Sequence, residues 1–329
     1  MRTISYRRAD DLASAAKAFR GSGSAYLAGG TTLLDLMKLD VLQPDTLIDI
    51  SGFPATEGIR IDARGLHLNA AVRMAEAAAH PGILKSYPVV AQSLLLAASP
   101  QIRNMATLAG NVLQRTRCSY YRDTRWSACN KRDPGSGCAA MEGVTRKLAV
   151  LGTSSHCIAN YPGDFAQALV ALEAEVEIST ANGARVIQFE DLHRLPGDTP
   201  HIETTLEPGE IITGFRVPAG NWTPRSLYLK VRDRESYEFA LASAAVALEL
   251  EGEAVKEARI ALGGVATRPW RAREAEAALK GKPVNEANAG KAAAAAFDHV
   301  SVKADNAYKV ELGKRTLTRA LLQAASMEV

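Results

Sequence analysis

The chain has 329 residues, 47% of them apolar and 23% charged, with 39 basic residues against 36 acidic ones. These are the proportions of a folded chain with a large core, of a length that suits two domains or one domain with an appendage. A net charge of only +3 argues against nucleic acid or an acidic membrane as the main partner, and no apolar run is long enough to span a bilayer.

Arg7 and Arg8 are adjacent, but no apolar stretch follows them, so no signal peptide of the chain's own is expected. "TISY" reads as a strand, Asp10–Asp11 as the cap of the helix "LASAAKAF", and "AYLAGG" as a strand running into a glycine turn. "TTLLDLMKL" is helical and "DTLIDI" is strand-like, so the first third reads as an α/β or α+β lobe. "GIRIDARGLHLNAAV" predicts a hairpin turning at Gly65, and residues 82–99 have helical apolar spacing. "PQIRNMATLAGNVLQ" reads as a loop and "KLAVLGT" as a return to strand. "GDFAQALVALEAEVEIST" predicts helix then strand, and "GEIITGFRVP" a strand closed by Pro218. "PAGNW" (218–222) is the boundary signal. Beyond it, three strands and three helices predict a C-terminal α+β domain over 222–329, after a larger domain over 1–218 divided near residue 57.

All four cysteines, Cys118, Cys129, Cys138 and Cys157, lie within 40 residues, separated by gaps of ten, eight and eighteen. Disulfides have little use in a chain with so large a core, and the gaps are loose for zinc, which usually shows at least one tight Cys pair. Four thiolates on a long loop suit an iron–sulfur cluster, with a zinc-stabilised interaction module as the non-redox alternative. Around them stand Arg115, Arg117, Arg122, Arg125, Lys131 and Arg132 against Asp123, Asp133 and Glu142, an excess of positive charge suited to an anionic cluster. Tyr120, Tyr121 and Trp126 are candidates to shield it, and "DPGSG" supplies a sharp turn before Cys138. The six histidines are dispersed without ligand spacing.

Two glycine turns, Ala28-Gly29-Gly30-Thr31-Thr32 and the Thr107–Asn111 stretch containing Gly110, are candidate phosphate sites, because glycine lets backbone N–H groups approach a ligand closely. Neither has the GxGxxG spacing of a nicotinamide site.

Five segments, "AGGTTLLDLMKL", "SPQIRNMATLAGNVLQRTRC", "CNKRDPGSGCAA", "YLKVRDRESYEFAL" and "ALGGVATRPWR", resemble the FAD-binding medium subunits of molybdenum hydroxylases, the family of xanthine dehydrogenase and carbon monoxide dehydrogenase. The likeness covers essentially the whole chain. Within the family it runs to the flavin subunits of bacterial periplasmic aldehyde oxidoreductases, which also carry a 4Fe–4S cluster. It implies an α+β fold, with a two-subdomain FAD-binding domain of the vanillyl-alcohol-oxidase/MurB type and a smaller C-terminal domain. The resemblance places the FAD pyrophosphate between the two glycine turns, with Ala109 where relatives often have Gly. It places Asp164, Ile212 and Lys230 beside the flavin ring, and assigns the four cysteines to a 4Fe–4S cluster. Read from the residues alone, Asp164 is a helix cap, Ile212 strand core and Lys230 a solvated strand lysine. The implied function is electron transfer in a heterotrimeric aldehyde oxidoreductase, from a large molybdopterin subunit and a small 2Fe–2S subunit through FAD to an external acceptor. A 4-hydroxybenzoyl-CoA-reductase-like or xanthine-dehydrogenase-like enzyme is the alternative. Co-export with a signal-bearing partner would place it in the periplasm, and otherwise it is expected in the cytoplasm. Cys129→Ser is expected to lose iron and make the 115–146 loop protease-sensitive while FAD stays bound, because both glycine turns precede the loop.

Overall fold

The computed structural model describes residues 3–53, 55 and 58–329. The expected subdomain boundary at residue 57 lies outside the described residues. Among the described residues, three sheets organise the chain. The first is parallel, in the order β1 (Ser5–Arg8), β3 (Thr46–Asp49), β2 (Ser24–Leu27). Asp11 caps the helix Leu12–Ala18 as predicted, in a reciprocal capping box with Ser14.

The second sheet is antiparallel, in the order β4 (Ile59–Asp62), β5 (Gly65–Asn69), β8 (Ile211–Pro218), β6 (Glu175–Thr180), β7 (Gly183–Gln188). Val176 and Ile178 of β6 alternate inward with Phe215 and Val217 of β8, the period-2 pattern of a half-covered sheet. The third is also antiparallel, in the order β12 (Trp270–Arg271), β11 (Ala254–Gly263), β10 (Ala242–Glu251), β9 (Ser226–Val231). Here β10 serves two cores at once. Ala245 and Ala247 join the core of the second sheet, while Ala244, Val246 and Leu248 join the core under the C-terminal helices. Small side chains on alternate positions let this sheet be covered on both faces.

The structure departs from the predicted elements at four places. The 82–99 helix is two, Pro81–Ser86 and Pro88–Leu95, because Pro88 cannot donate into a continuing helix. The predicted loop 100–114 holds two short helices, Pro100–Met105 and Leu108–Val112, capped by the hydroxyls of Ser99 and Thr107. "KLAVLGT" forms no strand. Leu151 makes one bridge to Ala266, and the N–H groups of Val150 and Leu151 share the Val265 carbonyl. The hairpin at Gly65 turns one step earlier, and Gly65, at φ +130°, begins the return strand.

Candidate functional site

The first glycine turn leaves β2 and enters the helix Leu33–Lys38 through Gly30 at φ +72°. A Cβ on Gly29 would run into the Met105 carbonyl, so this turn lies directly against the segment that leads into the second turn. None of the backbone N–H groups of Gly29 to Leu33 donates to another described residue. The second turn is different. Gly110 N–H donates to Thr107 Oγ1 at 3.1 Å, Ala109 N–H to Ala70 O at 3.1 Å, Leu108 N–H to Val72 O at 3.0 Å and Asn111 N–H to Thr107 O at 2.9 Å. The N–H groups of Leu108 to Asn111 are therefore used within the protein. What the turn presents is the Thr107 hydroxyl hydrogen and the Asn111 amide, whose buried Oδ1 has no partner.

Two clefts open on either side of these turns. One, of about 480 Å³, is lined by Thr31, Thr32, Asn111, Gln114 and Asp164. The other, of about 550 Å³, is lined by Ala28, Thr107, Ala109 and Ile212, with Leu12 and Phe53 on its apolar side. A dinucleotide is two ring systems joined by a pyrophosphate. Two clefts separated by a run of unused N–H groups have that shape and that chemistry.

Asp164 occupies the N-cap position of the helix Phe165–Ala171 but makes no capping bond. Its Oδ1 accepts from Tyr228 Oη at 2.6 Å and its Oδ2 from Lys230 Nζ at 2.7 Å. Lys230 also donates to the Leu96 carbonyl at 3.0 Å. The side chains of Lys230 and Asp164 are 1% and 3% exposed, so this is a buried ion pair with further hydrogen bonds on both partners. Both residue-level readings, the cap and the solvated lysine, are thus corrected. Burial, followed by the Asp164 charge and hydrogen bond, pushes the Tyr228 hydroxyl well above its usual range, so it stays a donor. Lys230 does not line the cleft; it acts on it through Asp164. Ile212 lines the opposite cleft from Asp164. Tyr228 was not anticipated. It stands two residues before Lys230 on β9, on the same face of the strand, and that spacing was its signal. Ala98 and Tyr237, with φ of 49° and 52°, also line the Asp164 cleft.

Cys118, Cys129, Cys138 and Cys157 all line one small cavity. Three are buried and Cys138 is half-buried. Cys129 and Cys138 pair across a bridge closed by Asn130 N–H to Gly137 O at 2.6 Å, and Asn130 Nδ2 reaches His156 O at 3.1 Å beside Cys157. Burial pushes the Cys118 thiol up to about 12, and those of Cys138 and Cys157 in the same direction. Among the described residues, no group of three or more His, Cys, Asp or Glu side chains is placed to hold a metal ion.

Of the six basic residues expected to offset a cluster, only Lys131 lines this cavity. It is held by Glu203 at 2.7 Å and the Pro200 carbonyl at 2.9 Å. Arg115 pairs with Glu203, Arg125 with Asp123, and Arg117 and Arg122 with Asp35. Arg132 donates to the carbonyls of Tyr120 and Tyr121, each at 2.8 Å, and of Trp126. Guanidinium groups in this segment go to carbonyls and carboxylates, which match their fork geometry. Tyr121 is buried, and the Tyr120 and Trp126 rings meet edge-on at 5.0 Å.

Residues 2–220 match the model of the FAD binding domain in molybdopterin dehydrogenase, and residues 227–324 that of the CO dehydrogenase flavoprotein C-terminal domain. The chain is 44% identical over 330 residues to the aldehyde oxidoreductase FAD-binding subunit PaoB of Escherichia coli (strain K12), covering 98% of this chain and 99% of the relative. It is 27% identical over 284 residues to the glyceraldehyde dehydrogenase medium chain of Sulfolobus acidocaldarius, covering 86% and 83%. Among solved structures, carbon monoxide dehydrogenase from Hydrogenophaga pseudoflava superposes with a TM-score of 0.76 at 26% identity, covering 98% of this chain and 97% of that one.

Proposed function

The chain belongs to the FAD-binding subunits of the molybdenum hydroxylases, and from that premise we propose that it is the FAD-binding electron-transfer subunit of a heterotrimeric aldehyde oxidoreductase. Its partners would be a large molybdenum subunit, where the aldehyde is oxidised, and a small 2Fe–2S subunit. The 44% identity to an aldehyde oxidoreductase subunit supports the aldehyde assignment. The observation that carries the FAD site is the pair of clefts meeting at the unused N–H groups of Gly29 to Leu33.

FAD, when bound, supplies the exchange of paired for single electrons between the partner subunits and an external acceptor. Gly29 to Leu33 would hold the pyrophosphate by N–H donation, and the Thr107 hydroxyl and the Asn111 amide would complete the cradle. Asp164, oriented by its hydrogen bonds from Lys230 and Tyr228, presents a fixed acceptor on the wall of one cleft. Ile212 and Phe53 give the other cleft its apolar lining.

The reading extends to the cysteines as the ligands of a 4Fe–4S cluster, supported by the convergence of all four thiols on one cavity. Such a cluster would add a one-electron store to the subunit.

The experiment is cofactor analysis of the chain co-purified with its partner subunits. One FAD per chain is expected, with four irons beyond those of the small subunit's 2Fe–2S clusters, and Gly29→Ala should lose FAD, because its methyl group has only backbone to displace. A Gly29→Ala chain with full FAD would overturn the cradle. Zinc, or no iron beyond that of the small subunit, would overturn the cluster without touching the FAD assignment.

A further inference from the structure

Asp35 lies in the helix that leaves the first glycine turn. Its Oδ2 accepts from Arg117 Nη1 at 2.9 Å and from Arg122 Nη2 at 2.8 Å. These two arginines bracket Cys118 in the cysteine segment. The Arg117 guanidinium also stands over the ring of Phe239, 4.9 Å from its centroid, in the connection between β9 and β10. One guanidinium thus touches the first lobe, the cysteine segment and the C-terminal domain. Asp35, Arg117, Arg122 and Phe239 all line the same cleft as Asp164. A second tie runs in parallel between Cys138 and Cys157. Arg146 makes a bidentate pair with Asp233, both bonds 2.8 Å, and Lys147 reaches Glu238 at 3.4 Å.

Two part-buried cations share one carboxylate here. Without Asp35 they would repel each other across a desolvated cleft wall, and the segment carrying them would have to move. Arg117 and Cys118 are covalent neighbours, so a shift of the arginine is a shift of the cavity that the four thiols line.

We infer that Asp35 is a positioning residue, which clamps Arg117 and Arg122 so that the FAD cleft and the cysteine segment form one cooperative unit. FAD binding and the order of the cysteine segment then depend on each other, and by linkage each stabilises the other to the same extent. Sequence order separates the glycine turns from the cysteines; the fold brings them back onto one carboxylate and removes the basis for expecting FAD binding to survive without the segment. The inference rests on the FAD reading above.

The test uses the full chain with its partner subunits and two readouts, the FAD dissociation constant and the rate of tryptic cleavage within 117–146. The variants are Asp35→Asn, Asp35→Ala, Arg122→Ala and the Asp35→Ala/Arg122→Ala double. Losing a hydrogen-bonded charge pair of this kind weakens FAD binding about tenfold in Asp35→Ala. It also speeds cleavage, and FAD no longer protects the segment. The double variant should fall well short of the sum of the singles. Asp35→Asn preserves shape and removes only the charge, so it decides the matter if Asp35→Ala does not fold. Unchanged FAD affinity and cleavage in Asp35→Asn, or additive effects in the double, would overturn the clamp. A parent chain that binds no FAD would instead sink the FAD reading, and the clamp with it.

Discussion

At the scale of single residues, what matters is which polar groups have been committed and which left over. Thr107 and Gly110 look like a phosphate cradle in sequence, yet they hydrogen-bond each other, and the free donors sit in the first turn. Lys230 looks like a surface lysine and is buried on Asp164. Lys309 is a second buried lysine, with no part in the site. It is fully buried in the helix Tyr308–Ala325 and donates only to the Gly264 carbonyl, at 2.6 Å. Desolvation, then the nearby charges of Arg146 and Lys147, push its pKa down from 10.5 to about 7. Between those values the unfolded chain binds a proton that the folded chain does not. Stability should therefore rise with pH across that window, by up to about 1.4 kcal/mol per unit. Lys309→Met removes this contribution, at a constant cost for the Gly264 carbonyl left unpaired. Urea unfolding at pH 6 and pH 9.5 should show the variant gaining relative to the parent at the lower pH. Identical pH dependence in the two proteins would contradict the assignment.

At the scale of elements, the amphipathic and alternating segments were legible, while the cysteine segment was legible only as a composition. The three C-terminal helices formed where periodicity put them, and the strand read over "EARIALGGVAT" formed as Ala254–Gly263, starting and ending a few residues earlier. The segment 115–157 has only one turn of α-helix, Ser119–Arg122, and one short 3₁₀ turn, Ala139–Met141. Its order comes from side chains that bond backbone, above all Arg132 on three carbonyls. Local sequence does not encode such bonds, because their partners are six to twelve residues away in an irregular path. Arg132→Ala should lower the free energy of local opening by about 2–3 kcal/mol and raise tryptic cleavage at Arg122 and Arg125 roughly 30- to 100-fold. The rest of the chain should keep its far-UV signal. Unaltered cleavage would show that the segment is ordered by something else.

At the scale of the whole molecule, the boundary near residues 218–222 is a boundary of chain, not of packing. Tyr228, Ala245, Ala247 and Ala261, all beyond it, belong to the same core as Leu66, Phe165 and Phe215. Gln92 Oε1 accepts from Tyr228 N–H at 2.7 Å across the same junction. A chain ending at residue 220 should therefore fail to bind FAD and should expose apolar surface to a dye such as ANS, whereas adding residues 221–329 in trans should restore both properties. A well-folded, FAD-binding 1–220 fragment would show the two parts to be independent. By itself the sequence determined the α+β class, most strands and helices, the family, and the gathering of the cysteines. These depend on local periodicity, turn chemistry and motifs contiguous along the chain. Only the tertiary structure decided that Asp164 faces Lys230 and Tyr228 rather than capping a helix. The same holds for Ile212 and Asp164 lying in opposite clefts, and for Asp35 meeting both arginines around Cys118. The contacts among them join residues 64 to 87 positions apart. Desolvation and charge pairing at such range depend on which surfaces the folded chain closes together, and no window of sequence contains that information.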